Sequence, residues 1–150
     1  RCGAAILMAQ KEESVREVEI VFEKAARAIW SNVNNAAMEN FVTVVTDNRD
    51  AYEAEKDKYV DLLKERSTIF TSEADACGLE YYPYKEGFFV NVKIDDNNVR
   101  NAYHEALMKE HIYTVMVNKG IRVAVCSLPV EKCKGLAGRM KKILDEVTAA

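Results

Sequence analysis

The spacing of apolar residues along the first half of the chain predicts helices. Between Lys11 and Ile29 the apolar positions recur every three or four residues, which is the period of an amphipathic helix. Polar turn residues follow, and a second helix is predicted over Asn35–Thr46. A long, highly charged helix of the kind that joins two lobes is predicted over Arg49–Phe70. Before these helices, the apolar run Gly3–Met8 predicts a short buried strand.

The pattern changes after Phe70, where short apolar or alternating runs predict strands. The predicted strands are Leu79–Tyr82, Gly87–Ile94, Ile112–Val117 and Ile121–Cys126. A helix is expected from Val99 to Glu110, and a last helix from Pro129 to Val147. The turn signal Asn118-Lys119-Gly120 predicts that the last two strands form a hairpin. The chain is therefore expected to have an α/β fold, with helices followed by a small two-layer domain of sheet and helices.

Composition and charge exclude several classes of protein. The chain has 150 residues, of which 49% are hydrophobic and 30% charged, so it can build a core and is not disordered. Its longest apolar run, Ala4–Ala9, is far shorter than the roughly 20 residues that a membrane span needs. The net charge is −3, with 24 acidic and 21 basic residues, so a basic nucleic-acid surface is not expected.

The cysteines and histidines do not predict a metal site. Two histidines seven residues apart and four cysteines without a Cys-x-x-Cys spacing make a zinc centre improbable. Scattered cysteines are typical of reduced thiols in a cytoplasmic protein. The chain starts at Arg1 rather than at methionine and enters an apolar run at once, so we expect a fragment of a larger protein.

Three arginines have local settings that suit the binding of an anion. Arg1 precedes the predicted first strand, Arg27 lies near a helix end, and Arg122 begins a strand of the predicted core. The planar guanidinium group makes two parallel, charge-assisted hydrogen bonds with a carboxylate or a phosphate. For two of these arginines, a purely structural role is the alternative. Arg122 could be an edge-strand residue paired with a local acid, and Arg27 could be a favourable cation at a helix C-terminus.

The segments around these arginines resemble the C-terminal part of pyridoxal-phosphate-dependent aminotransferases of class I, of the aspartate and aromatic type. The matching motifs occur in the order found in that family and cover nearly the whole chain. They are Arg1-Cys2-Gly3, Arg27-Ala28-Ile29-Trp30-Ser31-Asn32, Gly87-Phe88-Phe89, His111-Ile112-Tyr113 and Arg122-Val123-Ala124-Val125-Cys126-Ser127-Leu128. Two departures are Val33-Asn34, where the family usually has prolines, and Ile121, which separates Gly120 from Arg122.

The resemblance implies a fold and a domain organisation. The chain would be a C-terminal fragment of a fold-type I transferase. Residues 1–47 would end the large cofactor-binding domain, and residues 48–150 would form a long connecting helix and the small C-terminal domain. The lysine that forms the Schiff base with the cofactor would lie upstream of Arg1, so no catalytic residue is expected in this chain and the chain alone should be inactive.

The resemblance also implies a function in amino-acid metabolism. The intact enzyme would use pyridoxal 5'-phosphate to move an amino group between an L-amino acid, aspartate, glutamate or aromatic, and a 2-oxo acid, as a cytoplasmic homodimer. Arg122 would bind the α-carboxylate of the substrate, Arg27 a distal carboxylate in the partner subunit's site, and Phe89 would line the pocket. The residues implied to contact the cofactor are Arg1, at its phosphate, Ser31 and Asn32.

Two other functions remain open at this point. The same scaffold could serve a pyridoxal-phosphate-dependent lyase or decarboxylase, in which Arg122 is kept and Arg27 is idle. The chain could also be a non-catalytic α/β module that forms subunit contacts or binds a small molecule.

Overall fold

Helices occupy the first half of the chain, as the apolar spacing predicts. In the computed structural model, which describes residues 5–32 and 34–149, they are α1 (Glu12–Ile29), α2 (Asn35–Thr46) and α3 (Arg49–Cys77). Acidic Glu12 and Glu13 lie in the first turn of α1, where they interact favourably with the positive end of the helix. The side chain of Asn34 accepts a hydrogen bond of 3.2 Å from the backbone N–H of Ala37 and caps α2.

The long helix α3 continues past its predicted end at Phe70. It has 29 residues and stops at Gly78, whose φ of +73° is the left-handed conformation that commonly terminates a helix. The prediction ended too early because it followed the apolar stripe and not this glycine. The chain divides into two compact units, Arg1–Glu55 and Lys56–Ala150, and the division falls inside α3. The assignment of residues 1–47 to a cofactor-binding domain stays a prediction.

The unit Arg1–Glu55 has no buried side chain among its described residues. Large apolar side chains are instead more than half exposed: Ile6, Met8, Val21, Phe22, Ile29, Trp30, Phe41 and Val42. A folded monomer usually keeps exposed apolar patches small. These side chains therefore contribute little burial free energy to the described structure.

The strand predicted over Gly3–Met8 is wrong for its described part. Ala5–Ala9 has no regular secondary structure, and Ile6 and Met8 are exposed, whereas Gly3 and Ala4 lie outside the described residues. A β-strand needs a neighbour with which it exchanges backbone hydrogen bonds. No described strand pairs with this segment, so its apolar composition alone does not make it a strand.

The unit Lys56–Ala150 contains an antiparallel sheet of three described strands. They are β1 (Val90–Lys93), β2 (Val115–Val117) and β3 (Gly120–Val123), in the order β1-β3-β2. Asn91 of β1 lies opposite Arg122 of β3, and Val115 of β2 lies opposite Arg122 on the other side. The predicted hairpin is confirmed, because β2 and β3 pair antiparallel across a turn in which Lys119 has a φ of 53°.

The observed strands are shorter than the predicted ones. Of Leu79–Tyr82 only Tyr81 pairs with the sheet, as an isolated bridge to Val92, and the strand predicted over Gly87–Ile94 is limited to Val90–Lys93. The strand predicted over Ile112–Val117 begins only at Val115, after a turn in which His111 has a φ of 59°. The strand predicted over Ile121–Cys126 ends at Val123, and the 3-10 turn Val125–Ser127 follows. Each prediction counted apolar residues that lie outside the paired strands, and at least one of them in each case is buried: Leu79, Ile94, Ile112 and Val125.

One face of the sheet is covered by a layer of two helices, which confirms the predicted two-layer arrangement. They are α4 (Asn97–Lys109), which contacts β2 and β3, and α6 (Leu136–Ala149), which packs against α4. The buried cluster combines residues of the strands, these helices and α3: Phe70, Ala74, Leu79, Val90, Val92, Ile94, Tyr103, Leu107, Ile112, Ile121, Val123, Val125, Leu136, Ala137, Met140 and Ile143. Within it, the hydroxyl of Tyr103 donates a hydrogen bond of 2.9 Å to the backbone oxygen of Met140 and joins α4 to α6.

The last predicted helix is two helices in the structure. The short helix α5 (Val130–Cys133) is followed by a break and then by α6. Gly135 lies in the break with a φ of +75°, and its N–H donates a hydrogen bond of 2.7 Å to Oε1 of Glu73 on α3. The apolar stripe continues across the break, so the periodicity did not reveal it.

Gly120 should not tolerate a side chain. A Cβ there would lie 2.6 Å from the backbone oxygen of Val92, inside the sheet. We expect Gly120→Ala to destabilise the protein by about 1–3 kcal/mol, because backbone must move to relieve the contact. Gly138→Ala is the control, since a Cβ at that helical position meets no atom within 4 Å and should be neutral or stabilising. Urea denaturation of both variants measures this, and equal midpoints would contradict the packing described.

Tyr103 should ionise only when the protein unfolds. Burial raises the pKa of its hydroxyl above the ordinary value. Because the folded pKa is the higher one, the resulting stabilisation is fully present below about pH 10, the pKa of an unfolded tyrosine, and is lost as the pH rises above it. Tyrosinate absorbance during alkaline titration, recorded together with circular dichroism, should show one tyrosine ionising with unfolding. Tyr103→Phe should remove that component, and its persistence in this variant would contradict the assignment to Tyr103.

Candidate active site

Arg122 lies on the middle strand of the sheet, on the face turned away from the core. Its neighbours along β3, Ile121 and Val123, are buried, and side chains alternate between the faces of a strand. Arg122 is therefore directed to the open face and is half-buried there. Strands pair with β3 on both sides, so the backbone that carries this guanidinium group is held firmly.

The aromatic ring of Phe89 lies against the guanidinium group of Arg122. The guanidinium carbon is 4.6 Å from the ring centroid, within the range of a cation–π contact. Phe88 contacts the same ring edge-on, with 6.4 Å between the ring centroids. Phe89 remains 42% exposed, so a ligand that reaches Arg122 could also touch this ring.

No carboxylate of the described residues forms an ion pair with Arg122. Its Nε is shielded from solvent, yet it has no hydrogen-bond partner among those residues. Oδ1 of Asn91, the residue opposite it in the sheet, is likewise shielded and without a partner. The structural alternative of an edge-strand arginine neutralised by a local acid therefore does not describe Arg122, which is central and unpaired.

The chain that follows β3 is fixed by a side chain of α3. Nη1 of Arg66 donates a hydrogen bond of 2.9 Å to the backbone oxygen of Cys126. Cys133, on the short helix after that turn, is fully buried, and burial raises the pKa of its thiol. Cys133 is therefore a structural core residue, and the hydrogen bond from Arg66 holds the chain just after the strand that carries Arg122.

The other sequence-predicted site residues belong to the unit Arg1–Glu55. At the end of α1, Nη1 of Arg27 donates hydrogen bonds of 2.7 Å to the hydroxyl of Ser31 and 3.3 Å to its backbone oxygen. Ser31 has a φ of 70°, and both Ser31 and Asn32 are exposed. Arg27 and Ser31 are thus brought together, as are Arg122 and Phe89 in the other unit. Arg1 lies outside the described residues.

The described parts of the chain lack two further features. Over residues 5–32 and 34–149, no three histidine, cysteine, aspartate or glutamate side chains are grouped so that they could hold a metal ion. None of the described helices combines the length and the apolar character that a membrane span requires.

Comparison with known proteins defines the family. The family described as aminotransferase class I and II matches residues 1–140 of the chain. The structure is similar to the crystal structure of an aminotransferase from Anaerococcus prevotii, with a TM-score of 0.83 and 30% sequence identity. The similarity covers 92% of this chain and 33% of that one, so the chain spans about a third of that aminotransferase. No curated protein matches the chain significantly.

The chain therefore belongs to the class I and II aminotransferase family. This confirms the resemblance and the α/β fold expected from the motifs. Asn91 is not among the residues that the motifs predicted, although it alternates with Val90 and Val92 and must face away from the core if they face it. That alternation was a usable signal, but the pairing of Asn91 with Arg122 depends on a strand register that the sequence does not specify.

Proposed function

We propose that this chain forms the substrate-carboxylate side of an enzyme that transfers an amino group between an L-amino acid and a 2-oxo acid. The observation that supports this most strongly is Arg122, a central, half-buried arginine that no described carboxylate neutralises. All amino-acid substrates carry an α-carboxylate, and the fork of a guanidinium group binds such a group through two parallel hydrogen bonds. Phe89 supports the guanidinium group from one side and offers an apolar surface for the rest of the substrate.

Pyridoxal 5'-phosphate is the cofactor that family membership suggests. The donor set fits it: the hydroxyl of Ser31 and the amide of Asn32 are exposed, and groups of this kind suit hydrogen bonds to phosphate or ring oxygens. We expect these two residues, together with Arg1, to contact the cofactor. When bound, the cofactor supplies the aldehyde that takes up the amino group and the ring that withdraws electrons from the α-carbon.

The arginines would orient the substrate and take no part in proton transfer. Arg122 would hold the α-carboxylate, and Arg27 would bind the distal carboxylate of aspartate or glutamate in the partner subunit of a cytoplasmic homodimer. Both hydrogen bonds from Arg27 to Ser31 come from Nη1, and they define the position of the guanidinium group at the helix end. The other nitrogen atoms of this guanidinium group would then bind the substrate carboxylate. A substrate held at both ends has its reacting C–H bond fixed in direction, which raises the reaction rate.

Substitution of the two arginines should have different effects in the intact enzyme. Arg122→Ala should lower kcat/KM for every amino acid, because each one carries an α-carboxylate. Arg27→Ala should lower it for aspartate and glutamate and spare aromatic substrates. The loss of a charge-assisted hydrogen bond corresponds to about 1.5–3 kcal/mol, or about 10- to 150-fold in kcat/KM. Steady-state kinetics with aspartate and phenylalanine measure both effects.

The control for these measurements is Arg16→Ala, which removes an exposed arginine of α1 that pairs with Glu19 at 3.1 Å. It should leave both substrates unaffected. Equal losses for aspartate and phenylalanine in Arg27→Ala would refute the distal-carboxylate role. Unchanged kinetics in Arg122→Ala would refute the proposed function of this face of the sheet.

The 150 residues on their own should not transaminate, because in the related family the Schiff-base lysine belongs to a segment upstream of the Arg1 motif. After incubation with pyridoxal phosphate and reduction with borohydride, peptide mass spectrometry should find no single lysine labelled stoichiometrically. One lysine labelled to completion, together with turnover of an amino acid, would show that the chain is sufficient for catalysis.

A further inference from the structure

Asn91 is the polar neighbour of Arg122 across the sheet. In an antiparallel pair, residues directly opposite each other direct their side chains to the same face, with Cβ atoms about 4.5–5.5 Å apart. On the other side, Arg122 faces Val115, whose side chain cannot form a hydrogen bond. Of the two residues directly opposite Arg122, Asn91 alone can therefore bond to the guanidinium group.

The unpartnered atoms of this pair are complementary. Nε–H of Arg122 is a donor and Oδ1 of Asn91 is an acceptor, and both are shielded from solvent without a partner in the described residues. A shielded polar group without a hydrogen bond is unfavourable, and one bond between these two atoms would satisfy both of them. The Asn91 side chain is long enough to reach Nε after a change in its torsion angles.

Elsewhere in the chain, an arginine Nε–H does donate to the Oδ1 of an asparagine. On α4, Nε and Nη2 of the half-buried Arg100 donate hydrogen bonds of 3.2 Å and 2.8 Å to Oδ1 of Asn101. Its Nη1 donates a hydrogen bond of 2.8 Å to the backbone oxygen of Val117. That pair lies on a helix and has no aromatic ring described beneath it. It provides a matched control for the pair in the sheet.

We propose that Asn91 is a positioning residue, which accepts the Nε–H of Arg122 and so turns the Nη1–Nη2 edge of the guanidinium group toward the substrate carboxylate. The contact with the Phe89 ring restricts where the guanidinium group lies, and the hydrogen bond to Asn91 would define how the group is rotated there. With Nε occupied, the carboxylate is bound end-on through Nη1 and Nη2. This inference rests on the proposed function of Arg122.

Such positioning should act on substrate binding more than on the chemical step. A guanidinium group that is already oriented loses less conformational freedom when the carboxylate binds. Removing the acceptor with Asn91→Ala should therefore raise KM about 3- to 10-fold and change kcat less than about 2-fold. Asn91→Asp should raise KM further, because a carboxylate beside Arg122 neutralises the charge that the substrate needs.

A double-mutant cycle in the intact enzyme distinguishes positioning from a general structural role. Asn91→Ala should raise KM in the wild-type background and have no further effect in the Arg122→Ala background, because Asn91 acts through Arg122. Asn101→Ala should leave KM unchanged in both backgrounds. Thermal unfolding of each variant confirms that it is folded. Additive effects of Asn91→Ala and Arg122→Ala, or a smaller KM in Asn91→Asp than in Asn91→Ala, would overturn the proposal.

A second measurement does not depend on catalysis. In the ¹⁵N NMR spectrum of the intact protein, hydrogen exchange of Arg122 Nε–H should be slow in the wild type and become faster in Asn91→Ala, as should that of Arg100 Nε–H in Asn101→Ala. Unchanged exchange at Arg122 would overturn the role of Asn91, whatever the activity. An enzyme that shows slow exchange at Arg122 but no transamination of any amino acid would refute the proposed function alone.

Discussion

The alternation of side chains along β3 determines where the candidate site lies. Ile121 and Val123 are buried against the helices, so the residue between them has to face the other side of the sheet. That residue is Arg122, and the strands on both sides of β3 prevent its backbone from shifting. The hydrophobic core therefore positions the arginine indirectly: stable packing on one face of the sheet defines the geometry of the polar group on the other.

The elements that the sequence predicted well are those whose boundaries are encoded locally. The start of α2 follows from Asn34, which caps the helix, and the β2–β3 turn follows from Asn118-Lys119-Gly120. The elements predicted poorly depend on distant partners. Ala5–Ala9 has the composition of a strand but no described strand beside it, and Gly135 interrupts the last helix where its N–H binds Glu73.

The sequence predicted which residues form the candidate site better than it predicted the contacts between them. The motifs drew attention to Arg122 and Phe89, and the structure places the guanidinium group of one on the ring of the other. The sequence also allowed Arg27 to be a cation at a helix C-terminus, and its hydrogen bonds to Ser31 at the end of α1 agree with that setting. Asn91 was not predicted because its position beside Arg122 depends on the pairing of β1 with β3. This pairing brings together residues about 30 positions apart in the sequence.

Buried and non-core residues alternate from Phe89 to Val92, and this alternation has a consequence for enzyme engineering. Val90 and Val92 are part of the core, so changes there would act on folding before they act on selectivity. Phe89 and Asn91, and Val115 across the sheet, surround the guanidinium group without belonging to that core. A combinatorial library restricted to these three positions would vary the shape around the carboxylate anchor while keeping most variants foldable, and it is small enough to be screened exhaustively.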